Sequence, residues 1–187
     1  MTIYSNKVIT IQKATYNDAP LLAKFAHAAF LDAYISIAPH RKKEIVAYAN
    51  EAFTLPGTVS DLENEDIQFL IIKRQTSEDN TDEKELLGYT KLNPHLHTPS
   101  LKPADTICIE RFYVHPQYKS QGLGTQLMRA ALEKIQESAV SSVWLNVWDI
   151  NASVMDFYKR FGFEEAGIHL FNMGDHTDED LLMIKHF

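Results

Sequence analysis

Two glycines directly before an amphipathic segment form the part of the sequence best suited to chemistry. Gly122 and Gly124 let the backbone approach a ligand without obstruction by a Cβ atom. The loop from Lys119 to Thr125 would present free N–H groups at a helix N-terminus, a site that suits a pyrophosphate. Lys119 adds positive charge, and the Thr125 hydroxyl can donate to a phosphate oxygen. On the glycine pair alone, a helix entry that needs conformational freedom explains the sequence equally well.

Two better-known phosphate-binding loops are absent from the sequence. It contains no G-x-x-x-x-G-K-[ST] motif, and Leu127 stands where G-x-G-x-x-G requires its third glycine. The glycine pair therefore needs a second motif before it defines a ligand.

That second motif is NASVMDFYKRFGF, at residues 151–163. Its apolar side chains recur at helical spacing, which is more often typical of a packed core than of catalysis. Phe157 already serves that packing role, and only Tyr158 brings a hydroxyl. Tyr158 is therefore a candidate both for the core and for proton transfer.

Together the two motifs resemble those of the GNAT N-acetyltransferase superfamily. Its signature, a strand ending V-x-P, an aromatic residue and then [QR]-x-x-G-x-[GA], matches Val114-His115-Pro116, Tyr118 and residues 119–124. Its second motif, N-x-x-A-x-x-[FL]-Y-x-x-x-G-F, matches residues 151–163. Two departures are Lys119 in place of Gln or Arg, which loses a planar group with several donors, and Val154 where Ala is common.

The resemblance implies an acetyl-CoA-dependent N-acetyltransferase and assigns roles to residues. Backbone groups of residues 112–114 would pair with the pantetheine amides, and an N–H there would polarise the acetyl carbonyl. Asn151 would bind the pantetheine arm, and Tyr158 would donate a proton to the departing thiolate. The predicted cofactor-binding residues are Phe112, Tyr113, Val114, Lys119, Ser120, Gln121, Gly122, Leu123, Gly124, Thr125, Asn146, Asn151, Ser153 and Tyr158.

Glu110 is the candidate for a general base that takes the proton of the amine through water. It lies on the same predicted strand as Tyr113. Strict alternation along that strand would place Glu110 and Phe112 on one face, and Arg111 and Tyr113 on the other. A cross-strand ion pair is an equally good explanation of Glu110.

The acceptor is predicted to be a small-molecule amine. Residues 147–151, 157–159 and 171–175 resemble the bacterial spermine/spermidine acetyltransferase branch. Acidic side chains, together with Tyr34 or Trp148, would suit a polyamine, although most of these acids taken singly fit solvated turn residues. The candidate acids are Asp32, Glu110, Asp175, Asp178 and Asp180. A protein N-terminus, another small amine and a non-catalytic acetyl-CoA-binding regulator remain as alternatives.

The elements that must position these residues read β-α-α-β-β-β-α-β-α-β-β, which indicates one α/β domain over residues 1–187. The resemblance implies the GNAT fold. That fold has a single mixed central sheet of about seven strands, a V-shaped splay between strands 4 and 5, and about four flanking helices. Pro56-Gly57 is expected to end the second helix.

Composition limits the remaining possibilities. The formal charge of −7 on 187 residues argues against nucleic acid as a partner and is compatible with cationic small molecules. We see no membrane-spanning run and no secretory signal, so a cytoplasmic location is expected. The eight histidines show no ligand spacing, so no metal is expected. A homodimer is possible.

Overall fold

A mixed β-sheet lies between two layers of helices. The computed structural model describes residues 9–75, 84–98, 101, 105–148, 152–173 and 176–187. Within these residues the strands are β1 (Ile9–Lys13), β2 (Gln68–Gln75), β3 (Lys84–Asn93), β4 (Thr106–Val114), β5 (Ser142–Trp148), β6 (Glu164–Met173) and β7 (His176–His186). The helices are α1 (Ala19–Ile37), α2 (Lys42–Ala52), α3 (Leu55–Glu63), α4 (Leu123–Gln136) and α5 (Ala152–Arg160).

The seven described strands form one sheet in the order β1-β2-β3-β4-β5-β7-β6. Neighbouring strands are antiparallel except β4 and β5, which run parallel because α4 connects them as a crossover helix. The parallel pair stands in the middle of the sheet. The predicted fold class is therefore confirmed.

Each face of the sheet has its own hydrophobic core. On one face α4 packs its apolar stripe, including the fully buried Leu127 and Ile135, against β2–β5 and α5. Burial of each such side chain stabilises the fold by about 2 kcal/mol. On the other face α1, α2 and α3 cover a second core that includes Phe30, Ile45 and Tyr89. The residues of the candidate site are therefore divided between the two faces of the sheet.

The predicted end of the second helix at Pro56-Gly57 is wrong, because these residues lie in the first turn of a further helix, α3. Thr54 precedes that helix in an extended conformation, and its side-chain oxygen accepts a hydrogen bond from the Gly57 N–H at 3.2 Å. Proline fits there because the first turn does not need its N–H. The described chain thus has five α-helices where about four were expected.

The remaining predicted elements match the structure in type and order, with bounds that differ by a few residues. No helix in the described part of the chain is both long and apolar enough to cross a membrane.

Candidate active site

The gap between β4 and β5 is the central feature of the site. The two strands pair only at Thr106–Ser142, Ile107–Val143 and Cys108–Trp144. In the described chain, none of the residues from Ile109 to Val114 pairs with β5. Backbone N–H and C=O groups need hydrogen-bond partners, so this edge of β4 is suited to bind a ligand that carries amides. The predicted splay of strands 4 and 5 is present.

The opposite edge of β4 is held close to β3. Gly88 lies opposite Val114 in the β3–β4 pairing. A Cβ atom on Gly88 would stand 2.8 Å from the backbone oxygen of Tyr113, a distance that no side chain tolerates. Glycine at this position therefore lets β3 fix the segment of β4 that borders the gap.

The loop after β4 leads to an open helix N-terminus. Gly122 is the N-cap of α4 with φ of 80°, and no side chain caps it. The first bond of the helix runs from the Gln126 N–H to the Gly122 oxygen at 3.0 Å, so the three preceding N–H groups point out of the helix. A Cβ atom on Gly122 would meet no atom within 4 Å. The space in front of these donors is open, as an anion site requires.

The other residues of the 119–125 loop differ in backbone conformation, exposure and contacts. Ser120 also has a positive φ, 63°, and Lys119 is exposed. The Gln121 amide donates to the Gln117 oxygen at 3.2 Å. The Leu123 side chain is buried in the core, so only its backbone can face a ligand. Thr125, in the first turn of α4, is half-buried.

Gly124 lies where α4, α5 and β4 converge. A Cβ atom on Gly124 would stand 3.7 Å from the Phe157 ring and 3.8 Å from Val114 Cγ2, which are ordinary contact distances. A methyl group therefore fits at this position, whereas a large side chain would crowd Phe157 and Val114.

Tyr158 lies in α5, the helix that follows β5, and its ring packs against β4. Its ring contacts Phe112 of β4 at 6.4 Å, Phe157 at 5.5 Å and Phe163 at 5.8 Å between centroids. The residue is only 7% exposed and belongs to the core on the α4–α5 side. Burial raises the pKa of this hydroxyl above its usual range. The ring belongs to the core, while the hydroxyl stays protonated and can donate.

Asn146, Asn151 and Ser153 are also predicted to bind the cofactor. The Asn146 amide donates to Asp180 Oδ2. Ser153 is exposed in the first turn of α5. Asn151 lies outside the described residues.

A β-bulge at Glu110 changes the predicted facing of β4. Arg111 lies opposite Lys91 and Ile109 opposite Leu92, which leaves Glu110 as the extra residue. The bulge shifts the alternation, so that Ile109 and Phe112 both pack on the α4–α5 side. The prediction that Glu110 and Phe112 share a face is therefore wrong.

Glu110 instead lies with Arg111 on the α1–α3 side. Its carboxylate accepts hydrogen bonds from Lys91 Nζ at 3.0 Å and from Asn93 Nδ2 at 2.7 Å, and Arg111 Nε stands 3.5 Å away. Lys91 also forms an ion pair with Asp61 of α3 at 2.7 Å. The cross-strand ion pair that the sequence allowed for Glu110 is thus present, within a larger network.

Aromatic rings pack together on the α1–α3 face next to Trp148, a region that we name the acceptor side. Tyr34 stacks between Phe30 at 4.3 Å and Trp148 at 5.4 Å. The Arg41 guanidinium lies over the Trp148 ring at 5.6 Å. Nothing in the sequence singled out Arg41, because its partners on β5 and β7 are distant along the chain.

The candidate acceptor acids differ in environment. Asp178 pairs with Arg41 at 2.7 Å. Asp32 is half-exposed and lies 4.0 Å from Lys119 Nζ, in the loop before α4. Asp180 is 4% exposed and accepts from Asn146. Asp175 lies outside the described residues. Among the described residues, no group of three or more His, Cys, Asp or Glu could hold a metal ion.

The β4–β5 gap and the uncapped N-terminus of α4 agree with the fold that the sequence resemblance implies. The chain matches the acetyltransferase (GNAT) family over residues 44–163 and belongs to that family. The predicted family is therefore confirmed.

Sequence relatives support the same family. An uncharacterised N-acetyltransferase of Lactobacillus delbrueckii subsp. lactis is 34% identical over 101 residues, which is 54% of this chain and 58% of that protein. The ribosomal protein bS18-alanine N-acetyltransferase of Escherichia coli K12 is 36% identical over 55 residues, 29% of this chain and 37% of that protein. The chain thus spans little more than half of the first relative and about a third of the second.

The fold is also similar to that of the PaiA N-acetyltransferase from Thermoplasma acidophilum, whose structure is a complex with coenzyme A. The TM-score is 0.68 at 18% identity, over 96% of this chain and 99% of that one. At this identity the likeness establishes the fold alone.

Proposed function

We propose that this protein is an acetyl-CoA-dependent N-acetyltransferase that moves an acetyl group directly to a primary amine. One observation carries the proposal: the β4–β5 gap, which opens beyond Cys108 and Trp144, lies next to the open, uncapped N-terminus of α4. A ligand with a pyrophosphate at one end and amides along an arm is complementary to both features. Family membership supports the same ligand.

Acetyl-CoA, when bound, supplies an activated acetyl thioester. The N–H groups at the start of α4, with Lys119, would hold its pyrophosphate. Backbone groups of Phe112, Tyr113 and Val114, on the unpaired edge of β4, would hold the pantetheine arm. A backbone N–H on the same edge would stabilise the developing oxyanion.

Tyr158 is proposed as the proton donor to the thiolate that leaves. Its ring lies against Phe112 of β4, and burial raises the pKa of the hydroxyl, which is therefore protonated at neutral pH. A hydroxyl that stays protonated cannot serve as the base. The amine must therefore lose its proton to another group or to water.

Glu110 remains a candidate for that base, but its contacts support a structural role better. Lys91 and Arg111 neutralise its charge, and Asn93 occupies one of its oxygens. Both carboxylate oxygens are thus engaged by side chains of β3 and β4.

A polyamine such as spermidine or spermine is the proposed acceptor. The aromatic rings of Tyr34 and Trp148 and the buried carboxylate of Asp180 suit an alkyl chain with ammonium groups. A protein N-terminus is the second candidate, favoured by the 36% identity to the bS18-alanine N-acetyltransferase.

The test is an acetylation assay with acetyl-CoA and three acceptors: spermidine, a peptide with an N-terminal alanine, and a small monoamine. Release of free thiol and the mass of the product are both recorded. We expect turnover that is fastest with spermidine. Turnover on the peptide alone would contradict the polyamine acceptor. Tight acetyl-CoA binding without turnover on any amine would contradict an enzymatic function and favour a non-catalytic regulator.

A further inference from the structure

Two charged side chains of the paired strands β2 and β3 contact the turn that leads into the 119–125 loop. Arg74 of β2 and Glu85 of β3 lie opposite each other in the strand pairing and form an ion pair. Arg74 Nε donates to Glu85 Oε2 at 3.0 Å. Both side chains are partly buried, with 21% and 34% of their surface exposed. The strand pairing thus brings together a cation and an anion that lie 11 positions apart in the sequence.

Tyr118 completes this cluster from the side of the loop. Its hydroxyl accepts a hydrogen bond from Arg74 Nη2 at 2.5 Å and donates one to Glu85 Oε1 at 3.1 Å. The Arg74 guanidinium carbon also lies 4.7 Å from the centre of the Tyr118 ring. Hydrogen bonds to charged partners are about twice as strong as those between neutral groups. Two charged side chains of the sheet therefore hold Tyr118.

The position of Tyr118 in the chain connects this cluster to the proposed pyrophosphate site. Tyr118 is the last residue of a short 3-10 turn, Pro116–Tyr118, and directly precedes the 119–125 loop. Two residues further on, Ser120 has a φ of 63°, which is unfavourable for a residue with a side chain. Such a backbone conformation persists where surrounding contacts hold it. The contacts of Tyr118 with the sheet fix the chain at the start of this loop.

Resting on the proposed function, we propose that Arg74, Glu85 and Tyr118 form an anchor that holds the 119–125 loop in the conformation that binds the pyrophosphate of acetyl-CoA. The three are positioning residues, since the N–H groups of the loop and of the α4 N-terminus would themselves contact the phosphates. An anchored loop is already ordered before the ligand arrives, so binding costs less conformational freedom. If only a fraction of the free protein has the competent loop, Kd rises by the inverse of that fraction. Loss of the anchor should therefore weaken cofactor binding and leave the transfer step intact.

The first test is calorimetric titration of acetyl-CoA into wild type, Tyr118→Phe and Arg74→Gln. Tyr118→Phe keeps the ring beside the guanidinium but loses both hydrogen bonds of the hydroxyl. Because one hydrogen bond to a charged group is worth about a factor of ten, we expect Kd to rise by at least about 5-fold in either variant. The double variant should bind about as weakly as the weaker single variant, since both substitutions break the same cluster. Tyr118→Phe is the milder change and decides the test if Arg74→Gln does not fold.

Lys134→Gln is the matched control for Arg74→Gln. Lys134 pairs with Glu137 at 2.5 Å at the opposite end of α4, and its substitution removes the same charge together with an ion pair. It should bind acetyl-CoA within about 2-fold of wild type, because an exposed and distant charge contributes little. An equal loss of affinity in Lys134→Gln would show a general effect of net charge and would overturn the proposal.

A kinetic comparison separates anchoring of the loop from a general disturbance of the site. S-acetylpantetheine has the same thioester arm as acetyl-CoA but no phosphate. We expect both single variants to lower kcat/KM for acetyl-CoA through KM, by the factor seen in Kd, while kcat/KM for S-acetylpantetheine stays within about 2-fold of wild type. Equal loss with both acetyl donors, or wild-type affinity for acetyl-CoA in folded Tyr118→Phe, would overturn the proposal while acetyl transfer stands. No binding of acetyl-CoA by wild type would overturn the proposed function as well.

Discussion

Cys108 and Trp144 are the last residues that the parallel strands β4 and β5 pair, and the gap between the strands begins beyond them. Both side chains are buried in one small cluster with Leu182 and Ile184 of β7. The closed end of the gap is therefore anchored in the core, while its open end faces the α4 N-terminus. The gap is therefore already open in the sheet as the structure has it.

Tyr158→Phe should lower kcat by about 100-fold or more and leave acetyl-CoA binding almost unchanged, because the substitution removes only the proton donor. The ring keeps its contacts with Phe112 and Phe163. Steady-state kinetics together with calorimetric binding would measure both effects. Tyr16→Phe, at an exposed tyrosine, is the control and should change neither value. Unchanged kcat in Tyr158→Phe would assign Tyr158 to the core alone.

Glu110→Gln should lower the free energy of unfolding by about 1–3 kcal/mol, because it leaves Lys91, with a side chain 5% exposed, without one of its two carboxylates. Urea denaturation would measure the change, with Glu63→Gln on the exposed side of α3 as control. We expect the pH profile of kcat/KM to keep its acid limb. Loss of that limb with unchanged stability would instead identify Glu110 as the base.

The buried tyrosines should make the fold sensitive to alkali. The pKa values of five tyrosines are raised above the usual range, with burial as the largest cause: Tyr34, Tyr48, Tyr89, Tyr113 and Tyr158. Because the folded pKa exceeds the unfolded one, the folded state keeps protons that the unfolded state loses above about pH 10. Stability should therefore fall as pH rises past that point, by about 1.4 kcal/mol per pH unit for each such tyrosine.

Absorbance of tyrosinate measured against pH would check this prediction, with circular dichroism recorded on the same samples. The exposed Tyr16 should titrate in its usual range, while the buried tyrosines should ionise only as the protein unfolds. Smooth titration of all tyrosines near pH 10, without unfolding, would contradict the burial described above.

Local patterns in the sequence predicted most of the fold. The apolar spacing of α4 and the alternation of the strands depend on neighbouring residues, and these elements have the expected type and order. The start of α3 at Leu55 is not evident from the sequence, because Pro56-Gly57 is typical both of a turn and of a first helical turn. The bulge at Glu110 depends on how β4 pairs with β3, which no pattern within β4 reveals.

In the candidate site, too, the sequence predicts local features but not contacts between distant residues. Gly122 and Gly124 belong to a local motif, and the structure places them at the open helix N-terminus. The pairing of Arg41 with Asp178 joins residues 137 positions apart, so no local pattern indicates that this acid has a cationic partner. Whether an acid of this face forms an ion pair with a distant cation depends on tertiary packing.

The central claim is that acetyl-CoA lies across the α4 N-terminus and the β4–β5 gap. Calorimetric titration of acetyl-CoA into wild type, Gly124→Ala and Gly124→Trp tests it most directly. A methyl group at Gly124 meets Phe157 at 3.7 Å, so the alanine variant should bind within about 3-fold of wild type. An indole there would crowd Phe157 and Val114 beside the start of α4. The tryptophan variant should therefore bind acetyl-CoA at least about 100-fold more weakly than wild type. Its circular dichroism spectrum should match that of wild type. Equal binding by all three proteins, or no binding by wild type, would contradict the claim.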